Sequence, residues 1–552
     1  MKNALRPTPL QQRSQHNAEE PFDVSRCFRA MTTSRPDYNV ARGTAYITGQ
    51  QVVVYLTYFV FYVVTTRVLS KADIGAVSLL AATLAAFNTL TALALPQAAT
   101  RFISRHLASG ERPLAGSVAK TTMRLTVLLA TPLVLVAILL VRFINSALFV
   151  AGEDYTQVLV VTFVCGVIVD VYLLYGAYFL GAGMYAEYAY QTMLYIPLSR
   201  GLGIALAFLN QGVLGIIVGW AVGGVAAIGL SVFLWRNKLP VTSNYPMRPL
   251  LAFTLPLFVA TLISLGQQWG DVTILQIRTG DLSITGGYYV VISSVGFLSA
   301  FWFPVANALY PSLSASHGKG DMEGAASTLS LSFRLTNLAV LPLGSAMASV
   351  AVTALVIAYG DAYGTAADVI PFAILTVTAI FTAQSAILTA SLQAFGKTVH
   401  VLLITGVATG IDLLFVWFFA PLLTTTAGAI GRTVLYVCTV YLSYRVLRGE
   451  VQAQPFHGFV KSAALAIGVG VPMFLVNQAF LDLFPSFRTL FRLPILLLIF
   501  AGLYLGISRR LKVFHAGDFA ILKDVLPRRY HRFLRRIELL LLSGRASGSE
   551  GG

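Results

Sequence analysis

An all-α polytopic membrane protein of about fourteen transmembrane helices, in two homologous halves, is the fold predicted by three features of this sequence. Of its 552 residues, 56% are hydrophobic and only 11% charged, and the mean hydropathy is +0.74. Apolar runs of about 20 residues recur along the chain. Each is long enough to cross a bilayer core as a helix, and none alternates as a barrel strand would. The third feature is an internal repeat. Gly110-Glu111-Arg112-Pro113 leads into Arg124-Leu125-Thr126 and then Pro132-Leu133. About 210 positions later Gly320-Asp321-Met322-Glu323 leads into Arg334-Leu335-Thr336 and Pro342-Leu343. Arg67 and Gly75 match Arg278 and Gly286 at nearly the same offset, and Leu180 and Ala182 match Leu392 and Ala394.

The elements follow in order. Residues 1–42 are polar, lack apolar periodicity and are expected to form a disordered cytoplasmic tail, within which Met31 is an alternative start. The first lobe, 43–236, holds helices predicted near 43–66, 75–95, 125–146, 157–181, 188–209 and 213–235, with a basic loop between the second and third. A cytoplasmic linker, 237–250, joins it to the second lobe, 251–447. There the helices are predicted near 251–276, 284–310, 335–359, 367–392, 399–421 and 426–447, with a long polar loop from Ser312 to Ser332. Two further helices in 448–508 have no counterpart in the first half, and a basic tail, 509–552, follows.

With the N-terminus inside, inner loops carry roughly fourteen Lys and Arg and outer loops about six or seven, as the positive-inside rule requires. Both termini are then cytoplasmic. An even number of spans per half makes the halves insert in the same sense, so their pseudo-twofold axis lies along the membrane normal.

Composition also excludes chemistry. The three cysteines and seven histidines are scattered, without the spacing of a disulfide framework or metal site. The net charge of +16 suits anionic headgroups rather than nucleic acid. Arg528, Arg529, Arg532, Arg535 and Arg536, interleaved with Tyr530, Phe533 and Leu534, read as a basic helix on the inner leaflet, with a protein-docking arm as the alternative. No P-loop offers ATP hydrolysis, and no enzyme activity is expected.

Arg67-Val68-Leu69-Ser70-Lys71-Ala72-Asp73-Ile74-Gly75 resembles the loop after helix 1 in O-antigen-type polysaccharide repeat-unit flippases of the multidrug/oligosaccharidyl-lipid/polysaccharide exporter superfamily. Asp271-Val272-Thr273-Ile274-Leu275, Gly286-Gly287-Tyr288-Tyr289 and Leu392-Gln393-Ala394-Phe395-Gly396-Lys397 also resemble that family. The resemblance implies two six-helix lobes that rock about a central cavity lined by helices 1, 2, 7 and 8. It implies a cargo of polyprenyl-linked oligosaccharide, moved from the cytoplasmic to the outer leaflet of a bacterial or archaeal plasma membrane. An ion gradient or the membrane potential would drive it. No cofactor is implied beyond a coupling proton or sodium ion. Implied partners are the glycolipid, membrane lipids, and a glycan polymerase or glycosyltransferases, and a monomer is expected.

Such a cargo needs a hydrated path, cationic groups for phosphate and a gap for its tail. Thr44, Thr48, Gln51, Tyr55, Tyr58 and Tyr62 fall on one face of helix 1 and suit the glycan path, with helix-to-helix adhesion as the alternative. In helix 7, Ser264, Gln268 and Asp271 share a face with Gln267 at its edge. Asp271 is the candidate for a coupling cation or proton, or else a structural partner of Arg278. Arg101, Arg124 and Arg334 near the cytoplasmic mouth are phosphate candidates, as is Arg278 at the outer end. Topology anchoring explains the same arginines without a ligand. Asp170 and Arg200, at similar depth in consecutive helices, read as a structural intramembrane pair. Asp412 stands at the repeat position of Arg200 with no obvious basic partner.

Two other functions fit less well. A cation-coupled multidrug exporter of the same fold favours an aromatic, acidic pocket, and a non-transporting scaffold for glycan assembly would use the basic tail to dock.

Overall fold

The computed structural model describes residues 38–149, 153–241, 244–451, 459–483, 489–511, 513–514, 519 and 531–542. Every element among them is helical. Arg42–Ile507 form one compact unit, and the described residues within 1–41 and 508–552 belong to another. Most of the N-terminal tail, including Met31, lies outside the described residues.

The first half contains α1 (Tyr38–Val68), α2 (Lys71–Ala92), α3 (Leu95–Ala108), α4 (Arg112–Leu139), α5 (Val141–Leu148), α6 (Thr156–Gly181), α7 (Tyr185–Leu206) and α8 (Gly212–Trp235). The second half repeats this plan. A long first span, α9 (Met247–Leu265), runs through a π-helical turn at Gly266–Gly270 into α10 (Asp271–Thr279). Then come α11 (Leu282–Gly296), α12 (Ser299–Gly318), α13 (Met322–Ser349), α14 (Ala351–Tyr359), α15 (Ala366–Ala394), α16 (Thr398–Leu423) and α17 (Thr425–Leu447). Two added helices, α18 (Phe459–Leu483) and α19 (Thr489–Leu511), complete the membrane part.

The basic loop and the Ser312–Ser332 loop expected from polarity are not loops. Both are tight turns between helices, Ser109–Glu111 and Lys319–Asp321. Gly110 (φ 76°) and Gly320 (φ 71°) take the left-handed conformation that ends a helix. Pro113 then sits in the first turn of α4, and the Asp321 carboxylate accepts from Gly324 N at 2.8 Å. Polarity misleads here because α3 is amphipathic. It buries Leu95, Ala98, Ala99, Phe102 and Ile103 and turns its basic residues outward. The repeated Gly-acid motif is therefore the sequence of a helix turn.

By length and apolarity, 11 helices among the described residues can cross a membrane, or 12 if the α13–α14 pair, bent by 76°, is one span. The expected fourteen are not all recovered by that measure. One apolar stretch, Tyr185–Trp235, holds both α7 and α8, which fold back on each other through Asn210 (φ 60°) and Gly212 (φ 51°). A Cβ on Gly219 of α8 would come within 2.4 Å of Gly203 N on α7, so the two helices touch backbone to backbone. α17, with Arg432 and several Thr and Tyr, is not among the apolar spans.

The halves meet at the end away from the basic turns. Ser70 and Asp73 form a capping box that starts α2: Asp73 N donates to Ser70 Oγ (3.1 Å) and Ser70 N to Asp73 Oδ2 (3.0 Å). Arg67 Nη2 donates to Ile357 O at 2.6 Å, and Lys71 Nζ pairs with Asp368 at 2.5 Å. A Cβ at Gly75 would lie 2.0 Å from Leu282 O, and one at Gly286 would lie 2.1 Å from Lys71 O. The segment Arg67–Gly75 thus seals one half against the other.

In the second unit, the helix His531–Leu542 carries Arg532, Arg535 and Arg536 at helical spacing, while Arg528 and Arg529 lie outside the described residues.

Candidate functional site: a cavity between the halves

A cavity of about 470 Å³ opens between the halves, walled by α1, α2, α7 and α8 on one side and the π-helical turn, α10, α11 and α17 on the other. Three stripe residues reach it. Tyr55 hydroxyl lies 3.3 Å from Ser299 Oγ, and Tyr62 hydroxyl 3.0 Å from Tyr289 hydroxyl, both across the boundary between halves. Tyr58 stacks on Tyr62, with ring centroids 6.3 Å apart. Thr48 is exposed and Gln51 half-buried, and neither lines this cavity, while the side chain of Thr44 is not among those described. From the other half come Gln268 and Trp269, but not Gln267.

Arg200 does not pair with Asp170. Its guanidinium is 4.2 Å from the Trp220 ring centroid and also faces Tyr58 and Phe61. Nη2 donates to Tyr58 hydroxyl at 3.3 Å, while Nε and Nη1 have no hydrogen-bond partner. Asp170 instead accepts from Thr91 on α2. Tyr172 of α6 lies level with Gln191 and Thr192 of α7, which sets Arg200 more than a turn away from Asp170 along the antiparallel pair. An aromatic box holds Arg200 at the cavity wall, where its charge is available to an occupant.

Asp271 is fully buried and its partner is Arg432, not Arg278. Arg432 Nη2 donates to Asp271 Oδ1 at 3.0 Å and Nε to Oδ2 at 2.5 Å, while Tyr288 hydroxyl donates to Oδ2 at 2.6 Å. The π-helical turn explains why helical spacing misplaced the side chain. A five-residue turn inserts one residue and rotates the next helix by about 100°. Gln268 keeps to the cavity, whereas Asp271 turns into its own half. Arg432 Nη2 also donates to Gln268 O at 3.0 Å, and its side chain remains 12% exposed, on the cavity wall. Arg432 escaped notice in the sequence because it sits in a helix rich in Thr and Tyr, one repeat after Trp220 rather than after a charged residue.

The four predicted phosphate arginines lie elsewhere. Arg101 stacks on Phe253 at 4.3 Å, Arg124 donates to Asn244 at 2.7 Å, and Arg278 donates to Trp417 O at 3.0 Å. None of these three lines the cavity, and neither does the half-buried Arg334.

A second cavity, about 590 Å³ and almost wholly apolar, lies between α13, α15 and α18. Leu341, Ile374, Val377, Ile467 and Val471 wall it. Gly470 brings α18 close to Ser345, which donates to Ala466 O at 2.5 Å.

Comparison with known proteins places this architecture. A family profile for polysaccharide biosynthesis proteins matches residues 40–317. Among curated protein sequences none matches. The lipid II flippase MurJ in an inward closed conformation superposes with a TM-score of 0.64 at 12% identity, covering 84% of this chain and 99% of that one. An inward-facing multidrug resistance MATE family transporter of the MOP superfamily gives 0.61 at 15% identity, covering 72% and 94%. A MOP superfamily transporter from Pyrococcus furiosus gives 0.53 at 14% identity, covering 74% and 95%. At these identities the likeness establishes the fold.

Proposed function

Because this chain belongs to the polysaccharide biosynthesis protein family, we propose that its transporter fold flips a polyprenyl-linked oligosaccharide from the cytoplasmic to the outer leaflet. The observation that carries this reading is the cationic inter-half cavity. It combines the Arg200 and Arg432 guanidinium groups with tyrosine and tryptophan faces. Guanidinium forks suit phosphate oxygens, and aromatic faces with hydroxyls suit sugar rings. The apolar cavity beside α18 supports the lipid part, since it offers a greasy slot to a prenyl tail while the headgroup crosses.

The basic turns at Gly110 and Gly320 face the cytoplasm on the positive-inside rule. The sealed end at Gly75 and Gly286 then faces outward, and the cavity communicates with the inside. Alternating access would consist of breaking the Lys71–Asp368 contact as the opposite end closes. The helix His531–Leu542 would lie on the anionic inner leaflet through its arginines.

Export of organic cations on the same fold is the second reading, favoured by the multidrug transporter likeness. Two arginines in the cavity speak against it, because a cationic drug would meet like charge in a low-dielectric site.

The test is reconstitution into vesicles carrying a fluorescent polyprenyl-pyrophosphate oligosaccharide, with leaflet exchange followed by outer-leaflet quenching. Protein-dependent exchange is expected. Export of a cationic dye without glycolipid exchange would overturn the proposal.

A further inference from the structure

Arg432 faces two ways. On its inner side Asp271 and Gln268 O hold it, and its remaining surface lies on the wall of the cavity that Arg200 also lines. Behind it sits Asp412 of α16, fully buried, with neither carboxylate oxygen hydrogen-bonded. The two helices are close there, since a Cβ on Gly431 would stand 2.4 Å from Asp412 Oδ1. Asp271 and Arg432 are the charged neighbours of Asp412, and Tyr288 of α11 and Tyr436 of α17 complete the titratable groups around the cluster. Two buried carboxylates therefore share one guanidinium.

They are not equivalent. Asp271 has other donors besides Arg432: Tyr288 hydroxyl at 2.6 Å and Val272 N at 2.8 Å. Asp412 has none. If Arg432 turned toward an anion in the cavity, Asp271 would keep two donors while Asp412 would lose its nearest positive charge. A buried carboxylate without a donor or counter-charge is costly, and the cheapest remedy is a proton.

We propose that Arg432 is exchanged between Asp271 and a phosphate of the cargo, and that Asp412 takes up a proton as the exchange occurs. Charge balances within the half: one guanidinium leaves the carboxylate pair and one proton from water replaces it. Phosphate binding and protonation are then reciprocally coupled, so whatever favours one favours the other by the same factor. The inference rests on the reading that the cargo carries phosphate, and it adds to that reading the group that senses occupancy.

The experiment is calorimetric titration of the purified full-length protein with farnesyl pyrophosphate in buffers of different ionisation enthalpy, which counts protons exchanged per ligand bound. Wild type should take up on the order of one proton more per ligand than Asp412→Asn, the limit set by a single coupled carboxylate. The ligand's own protonation is common to both proteins and cancels in the difference. Binding to wild type with no buffer dependence would overturn the proton exchange and leave the flippase reading intact. Equal uptake by Asp412→Asn would overturn the assignment to Asp412. A requirement for sodium in place of proton uptake would overturn the proton. No binding at all would overturn both readings. Should Asp412→Asn fail to fold, wild type alone decides whether protons are taken up when titrated at a pH above the last phosphate pKa of farnesyl pyrophosphate, where the ligand has no proton to release.

Discussion

The helix pairs α7–α8 and α16–α17 occupy equivalent places in the two halves, yet they hold opposite chemistry at one depth. Asp412 and Arg432 stand 212 positions after Arg200 and Trp220, and Gly431 stands 212 after Gly219. In both pairs the glycine permits close approach of the helices. In the first half, the guanidinium rides on the first helix of the pair and is clad in aromatic rings, with no carboxylate touching it. In the second, the first helix carries the carboxylate and the second carries the guanidinium, ion-paired to Asp271. The frame is alike in the two halves, and the charges are placed differently within it. One half holds its guanidinium among aromatic rings, and the other holds it in an ion pair, which the proposed exchange would open.

That division predicts unequal responses to the same kind of mutation. Arg432→Ala strands two buried carboxylates and should destabilise the protein by about 3–5 kcal/mol, seen as a lowered midpoint in thermal unfolding in detergent. Adding Asp271→Asn and Asp412→Asn should recover most of that loss, whereas full recovery by Asp271→Asn alone would remove Asp412 from the cluster. A smaller effect belongs to the seal between the halves. Gly75→Val drives side-chain atoms into Leu282 O and should cost the sealed state about 1–3 kcal/mol. The check is faster labelling of a cysteine placed at Tyr289 by a membrane-impermeant maleimide added from outside. Arg200→Gln should cost about 2 kcal/mol of lost cation–π attraction, less than Arg432→Ala, because no carboxylate is left behind. A loss as large as that of Arg432→Ala would show that Arg200 has an ionic partner after all and would collapse the distinction between the halves.

The repeat, the helical class and the tyrosines of α1 were legible in the sequence, because periodicity and self-similarity are written in residue order. The Gly110 and Gly320 turns were legible as a repeated motif but misread as loops, since polarity alone does not separate a loop from an amphipathic helix such as α3. The π-helical turn at Gly266–Gly270 was not legible, and one inserted residue moved Asp271 from the cavity face to Arg432. Arg200 meets Trp220 and Tyr58 rather than Asp170, and the register of α6 against α7 sets the two residues at different heights. Spacing along one helix gives position within that helix, while the register and rotation of α6, α7 and α8 against one another depend on tertiary packing. Asp73 in the Arg67–Gly75 motif is a helix cap, and Lys71 and Gly75 of that motif meet the other half. Such contacts join residues nearly 300 positions apart, and no local pattern announces them.

Leaflet exchange of the polyprenyl-pyrophosphate oligosaccharide, compared between Arg200→Gln and Asp170→Asn in the same vesicles, tests the central claim most directly. On the proposed function Arg200→Gln would remove a charged contact to cargo, and it should slow exchange by about tenfold or more, the equivalent of roughly 1.5–3 kcal/mol for a charged hydrogen bond. Asp170→Asn should leave exchange near the wild-type rate, since Asp170 is bonded to Thr91 within its own half. Normal exchange by Arg200→Gln together with loss in Asp170→Asn would contradict the account.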